Sequence, residues 1–310
     1  MRGLARHPAA RGLLDDAAVL DWPLGLQMVA THDLLVEDVH YTAGCPASDV
    51  AWKLLAVNLS DLAAMGARPV GVLLGVAFGA RQQDSWADGF AAGLARALEV
   101  FQVPLLGGDT VRGADRCVLS LTALGSVPAG AALGRAGAGE GDDLWVSGTI
   151  GDAGMGLAVA LGQSGANPQA LKRYRRPTPR LALGLALRGL ASAAMDVSDG
   201  LALDAARLAH ASGLAAEIIL ADIPLSDFAP ASEPDRLRHA TAGDDYELLF
   251  AATPAQRPAI EAAASSAQTA VARIGRLVHS PLLAPVSARI RLVGSSGQSV
   301  VPATLGYEHR

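Results

Sequence analysis

At 310 residues, half of them hydrophobic, the chain is long enough for two ordinary domains or one large one with a substantial core. Its net charge of −5 argues against nucleic acid or an anionic membrane as partner. Its two cysteines, Cys45 and Cys117, supply neither a Cys-x-x-Cys metal pattern nor a disulfide framework. Residues 1–11 lack the apolar stretch of a secretory signal and no apolar run reaches membrane-spanning length, so the expected setting is cytoplasmic.

In chain order, the apolar spacing predicts a buried strand over 26–31 that runs into Asp33. A helix over 49–65 follows, capped by Asp49, with Leu54, Val57, Leu62 and Met65 at helical spacing. Asn58 and Asp61, three apart, share one face of it, and Gly66 ends it. A strand over 70–78, an amphipathic helix over 85–101, a short strand over 103–106 stopping at Gly107-Gly108-Asp109, and a strand over 117–127 come next. Strands and helices interleave at unequal spacing, which points to α+β rather than a strictly wound parallel sheet.

The Ala/Gly-rich stretch 130–141, which carries Arg135, marks a boundary and divides the chain into domains 1–138 and 139–310. Beyond it lie a strand over 143–147, a turn over 148–151, a helix over 153–161 and a basic, proline-punctuated loop over 172–180. Helices over 181–191 and 201–211 flank a strand over 193–197. Further strands fall at 217–220, 248–251 and 271–277, with a helix over 254–264 that has Pro254 in its first turn.

The chemistry-bearing feature is the placement of aspartates. Six segments set Asp among glycine, small or apolar residues: Leu14-Asp15-Asp16-Ala17, Thr31-His32-Asp33, Asn58-Leu59-Ser60-Asp61, Gly107-Gly108-Asp109-Thr110, Asp196-Val197-Ser198-Asp199-Gly200 and Gly243-Asp244-Asp245-Tyr246. Carboxylates held near a core need a counter-charge, and a divalent metal supplies one. Each segment also has a plain structural reading. Gly107-Gly108-Asp109 makes a good turn, and Ser198 or Asp199 is a natural helix cap. The same helix start would also welcome a phosphate. His40, after Glu37 and Asp38, is equally a metal ligand, a substrate contact or a structural hydrogen bond. The 172–180 loop reads first as solvated, second as a phosphate clamp. A P-loop, the protein-kinase motif set, a Gly-x-Ser-x-Gly elbow and His-Glu-x-x-His are all absent. If the chain handles nucleotides, it does so by a carboxylate-metal route.

Taken in order from Asp15 to Tyr307, the segments resemble the thiamine-monophosphate kinase family, within the aminoimidazole ribonucleotide synthetase-like superfamily. The resemblance is carried by Asp15-Asp16-Ala17-Ala18-Val19, by residues 33–40 (DLLVEDVH) and by residues 53–67 (KLLAVNLSDLAAMGA). Gly107-Gly108-Asp109-Thr110, Arg135, Asp196-Val197-Ser198-Asp199-Gly200-Leu201 and Asp244-Asp245-Tyr246-Glu247-Leu248 complete it. It implies a two-domain α+β fold, with an N-terminal domain whose sheet pairs in a homodimer and an active site in a cleft between the domains. The implied reaction is transfer of the ATP γ-phosphoryl group to thiamine monophosphate. By motif position, Asp16, Thr31, His32, Asp33, Asp61, Asp109, Asp196 and Asp199 would hold several magnesium ions, with Asp33, Asp61 and Asp109 at the reacting centre. Gly108, Arg135 and Ser198 would contact ATP, and His40, Asp244 and Tyr307 the substrate.

The chain departs from the family pattern at four places. Gly12-Leu13-Leu14 replaces a Gly-Ile-Gly lead, His32 stands where Thr or Ser is common, Asp38 where Gly is common, and Asp244 where Glu is common. Another ATP-using member of the superfamily, or an inactive nucleotide- or metal-binding paralogue, is the alternative reading.

Overall fold

The computed structural model describes residues 2–13, 17–281 and 283–307. In chain order the elements are β1 (Leu26–Val36), α1 (Ala47–Ala64), β2 (Arg68–Gly79), α2 (Asp84–Phe101), β3 (Leu105–Ala114), β4 (Val118–Pro128), β5 (Asp143–Ser147), α3 (Asp152–Ala160), α4 (Pro168–Arg175), α5 (Leu181–Ala186), β6 (Ala193–Asp196), α6 (Leu201–Ala211), β7 (Ala215–Ile219), α7 (Glu233–Thr241), β8 (Leu248–Ala252), α8 (Arg257–Ser266), β9 (Val271–Val278), β10 (Ile290–Val293) and β11 (Ser299–Val300). They form two compact units, one built from residues 1–62, 67–130 and 175–177, the other from 63–66, 131–174 and 178–310.

The N-terminal unit is a four-stranded sheet in the order β1-β4-β2-β3. β4 runs antiparallel to both β1 and β2, and β2 runs parallel to β3 through α2. Strand alternation sends Leu119, Leu121 and Ala123 of β4 into the core. There they join Leu54, Leu55, Leu59 and Leu62 of α1 and Phe90 and Leu94 of α2, all fully buried. Each such side chain contributes about 1.5–3 kcal/mol relative to exposure. The opposite face carries the exposed Met28, Leu34, Leu73 and Val111. Residues 175–177 complete this unit: Arg176 Nε donates to Asp49 Oδ1 at 2.5 Å, and Trp52 Nε1 donates to the Pro177 carbonyl at 2.9 Å.

The C-terminal unit is a seven-stranded sheet in the order β11-β10-β7-β9-β5-β8-β6. Among the described residues, its one parallel pair is β7–β10. Both faces are covered, which is why β5 and β8 are buried at every position and β8 reads as an unbroken apolar run. Leu144, Val146, Met195, Leu249 and Ala251 pack with Leu201, Ala205 and Leu208 of α6. The alternate residues Trp145, Ala194, Leu248 and Phe250 pack with Leu183 of α5 and Ile260 of α8.

Candidate functional site

In the N-terminal unit, the helix face bearing Asn58 and Asp61 lies against β1. Asn58 is fully buried and ties the two elements together. Its Oδ1 accepts from the Asp33 amide at 3.1 Å, and its Nδ2 donates to the Leu54 carbonyl at 2.9 Å. The Thr31 hydroxyl donates to Asp61 Oδ2. Asp33 and Asp61 are close enough to share a proton: burial, then the Asp61 charge and a hydrogen bond to it, push Asp33 up to about 7. Two carboxylates, a hydroxyl and an amide oxygen make a hard-oxygen donor set. That chemistry fits magnesium, which needs few protein carboxylates and completes its shell with water and phosphate oxygens. Among the described residues, no group of three or more Asp, Glu, His or Cys side chains could hold an ion by itself.

His32, expected as a metal ligand beside Asp33, points the other way. Neighbouring residues on a strand face opposite sides, and its ring nitrogen sits 2.8 Å from Thr122 Oγ1 on the far face. Asp109 is on that far face too. It lies opposite Gly75, which lies opposite Ser120, which pairs with the outward Leu34. Gly108 is on the helix-facing side, and a Cβ there would run into the Leu74 carbonyl, so the close approach of β2 and β3 requires glycine. The Gly107–Thr110 stretch lies within β3 rather than at a strand end. It lines a cavity of about 630 Å³ together with Leu73, Leu124 and the N-terminal residues Leu13, Ala17 and Ala18. The Asp15–Asp16 pair, expected to hold metal, falls outside the described residues.

His40 closes a turn after β1. Its Nδ1 accepts from the Val36 amide at 3.0 Å, and its carbonyl accepts from Lys53 Nζ at 3.2 Å. Asp38 in that turn has φ 62°, the left-handed conformation that explains glycine at this place in the family pattern.

In the C-terminal unit, Asp196 ends β6 and is buried. The Ser198–Gly200 turn leads into α6. Its amides do not point outward for a phosphate, as a bare helix start would: those of Ser198, Asp199 and Gly200 all donate to Asp204 Oδ2, at 3.0, 3.0 and 3.2 Å. Burial pushes Asp204 up to about 6, against the pull of those amides. Arg207 bonds both Asp204 Oδ1, at 2.8 Å, and Asp199 Oδ2. The 243–246 turn is laced to this one by main-chain bonds, Asp244 N to Ser198 O and Tyr246 N to Val197 O, each 2.8 Å. Tyr307 N bonds Asp199 O at 2.9 Å. Ser198, Asp199, Asp244 and Tyr307 are thus brought together. Asp244 and Tyr246 both have positive φ, at 72° and 51°, strain of the kind that collects at ligand-binding turns. Arg135 is exposed, on a segment that bonds the β6 edge through Gly134 O and Ala194 N.

Sequence reasoning missed what lies beneath these turns. Asp245, buried and pushed up to about 8 by that burial, accepts from the amides of Gly151 and Ala153 at the start of α3. Glu247 is fully buried and takes Arg173, Arg180 and the Ser147 hydroxyl, each at 2.5–2.6 Å. Burial pushes Glu247 up, but Arg180 and Arg173 outweigh it and hold it below the usual carboxylate range. The stretch read as a solvated basic loop is therefore partly helix α4, with Arg173 and Arg180 turned inward. The only trace in the sequence was an acidic residue directly before the apolar run 248–252, with its arginine partners 67 and 74 residues away.

The two halves match a known pair of domains. Residues 14–127 match the AIR synthase related protein N-terminal domain family, and residues 139–286 match the corresponding C-terminal domain family. The chain thus has the two-domain α+β architecture of AIR synthase-related proteins. Among curated proteins it is 41% identical to a thiamine-monophosphate kinase of Caulobacter vibrioides, over 100% of this chain and 88% of that one. Its structure resembles a thiamine-monophosphate kinase from Stenotrophomonas maltophilia, with TM-score 0.84, 37% identity and 96% and 94% of the two chains covered. It also resembles AaThiL complexed with AMPPCP and TMP, with TM-score 0.78, 25% identity and 99% and 98% covered. The chain belongs to the thiamine-monophosphate kinase family.

Proposed function

We propose that the carboxylates of this chain serve the reaction of its family by holding magnesium around two phosphate-bearing reactants. The chain is a thiamine-phosphate kinase: it phosphorylates thiamine monophosphate with ATP, giving thiamine diphosphate. The observation that carries the site reading is the half-buried constellation of Thr31, Asp33 and Asp61 around the buried Asn58, with two carboxylates pressed together.

A phosphate oxygen of thiamine monophosphate attacks the γ-phosphorus of ATP. The bond from that phosphorus to the β,γ-bridging oxygen breaks, and ADP leaves. The acceptor oxygen is already ionised near neutral pH, so no protein base is needed and no phosphoenzyme forms. Magnesium, when bound, neutralises phosphate oxygens that would otherwise repel each other. In the N-terminal unit, Asp33 and Asp61 with Thr31 would be one metal-holding group, and Asp109 and Asp16 are assigned to metal from their motif positions. Gly108 lets the main chain approach the nucleotide. In the C-terminal unit, Asp196 and Asp199 hold metal, Ser198 and Arg135 contact ATP, and Asp244 and Tyr307 contact the substrate. His40 is assigned to the substrate from its motif position.

The functional domains are 1–138 and 139–310, a division supported by the break between the two family matches. The enzyme is a homodimer pairing through the N-terminal sheet, supported by the apolar Met28, Leu34, Leu73 and Val111 exposed on its outer face. Among the described residues no helix is long and apolar enough to cross a membrane. A cytoplasmic setting is supported by two buried cysteines that are not disulfide-bonded.

The test incubates purified protein with magnesium, ATP and thiamine monophosphate. Thiamine diphosphate and ADP in equal amounts, with no label transferred to protein from γ-labelled ATP, support the scheme. ATP binding without product points to an inactive paralogue, and a labelled protein overturns direct transfer.

A further inference from the structure

The Ser198–Gly200 turn has an organiser that the motif does not contain. Asp204, one turn into α6 and fully buried, takes three consecutive amides of that turn on a single oxygen. Its other oxygen holds Arg207, and Arg207 in turn holds the Asp199 carboxylate. Three donors converging on one carboxylate fix the main-chain direction at Ser198, Asp199 and Gly200 together. Gly200, at φ 122°, supplies the conformation the turn needs to wrap around it. The reach is longer still, because Asp199 O receives Tyr307 N and Ser198 O receives Asp244 N. One side chain that faces no ligand therefore sits behind four residues assigned to metal, nucleotide and substrate.

We propose that Asp204, acting through the turn amides and through Arg207, is a positioning residue that sets the Asp199 carboxylate for divalent metal. The inference rests on the reading of Asp199 as a metal-holding residue. Asparagine in place of Asp204 keeps an oxygen for the amides but places an amide against Arg207, so it preserves the turn and loses the hold on Asp199. Alanine removes both.

The experiment titrates manganese(II) in the presence of AMPPCP by electron paramagnetic resonance. It compares wild type, Asp204→Ala, Asp204→Asn, Asp199→Asn and a control, Asp143→Asn. The control loosens the Asp143 ion pairs with Arg257 and Arg273, and it does so at the end of the same sheet away from Asp196. Melting temperatures and the KM for thiamine monophosphate are measured alongside.

Asp204→Ala is expected to weaken manganese binding about tenfold, the change that about 1.4 kcal/mol produces. Asp204→Asn, which keeps the turn, is expected to weaken it about threefold with the KM for thiamine monophosphate within about twofold of wild type. Asp143→Asn is expected to lower the melting temperature and leave the manganese curve in place. Wild-type manganese binding in Asp204→Ala, or an equal loss in Asp143→Asn, overturns the positioning role. Wild-type binding in Asp199→Asn overturns instead the reading on which the inference rests.

Discussion

Replacing Asp33 by asparagine should make the metal-free protein more stable while removing its activity. A carboxyl moved from 3.8 to about 7 resists ionisation by about 4 kcal/mol, at about 1.4 kcal/mol per pH unit. Part of that belongs to Asp61, and Asp33 is only half-buried, so about 2 kcal/mol is the share to expect from Asp33 alone. The sign follows from proton linkage. The folded state holds this proton more tightly than the unfolded chain, so its contribution to stability is complete below pH 3.8 and is lost as pH rises through 7. At pH 8 with chelator, wild type therefore lacks about 2 kcal/mol that the Asp33→Asn variant restores, and the new side-chain amide can also donate a hydrogen bond to Asp61. For units of this size that is a rise of about 4–8 °C in melting temperature. Calorimetry at pH 5 and pH 8, with and without magnesium, checks it. The gain should shrink at pH 5, and added magnesium should stabilise wild type at pH 8 far more than the variant. A variant that melts with or below wild type at pH 8 without metal would refute the charge-repulsion reasoning.

Other outcomes follow from the same geometry. Asp61→Asn and Asp109→Asn should each reduce thiamine diphosphate formation by at least about 10²–10³-fold with an unchanged circular dichroism spectrum. Near-normal rates in both would remove the metal account. His32→Ala should leave the magnesium dependence of turnover within about twofold, since its ring faces Thr122, and a larger change would restore it as a ligand. Gly108→Ala should destabilise by about 2 kcal/mol or more and weaken ATP binding, because the new Cβ meets the Leu74 carbonyl; denaturant titration and nucleotide binding read both. Glu247→Gln leaves Arg173 and Arg180 facing a neutral partner and should cost about 3–5 kcal/mol in denaturant unfolding.

Elements with a strong period are legible in the sequence. Helix α6 falls at its expected bounds, and α1 and α2 within one or two residues of theirs, because each sets apolar side chains against a core at fixed spacing. Helix α7, polar along most of its length and announced mainly by the Ser232 cap, escapes such reading. So do β10 and β11, which are too short to show alternation. At the site, Thr31, Asp33, Asn58 and Asp61 are legible because a strand and a helix each repeat predictably. Which face His32 and Asp109 occupy depends on strand register, and the register of β1 comes from pairing with β4, more than 80 residues further along the chain. The carboxylates at 204, 245 and 247 are hidden for a related reason. Their partners are amides and guanidiniums, whose approach is written in the fold rather than in any local motif.

The three residues 175–177 give the chain an unusual order of assembly. They bring Arg176 to Asp49 and the Pro177 carbonyl to Trp52, yet residues on either side of them belong to the other unit. On the ribosome, residues 1–130 can emerge whole and still lack this piece until some 45 more have been made. A fragment cut at the family boundary would present Trp52 and Asp49 without the partners they have in the full chain. Splitting this enzyme into two separately expressed halves should therefore yield a first half that becomes stable only when the second is supplied.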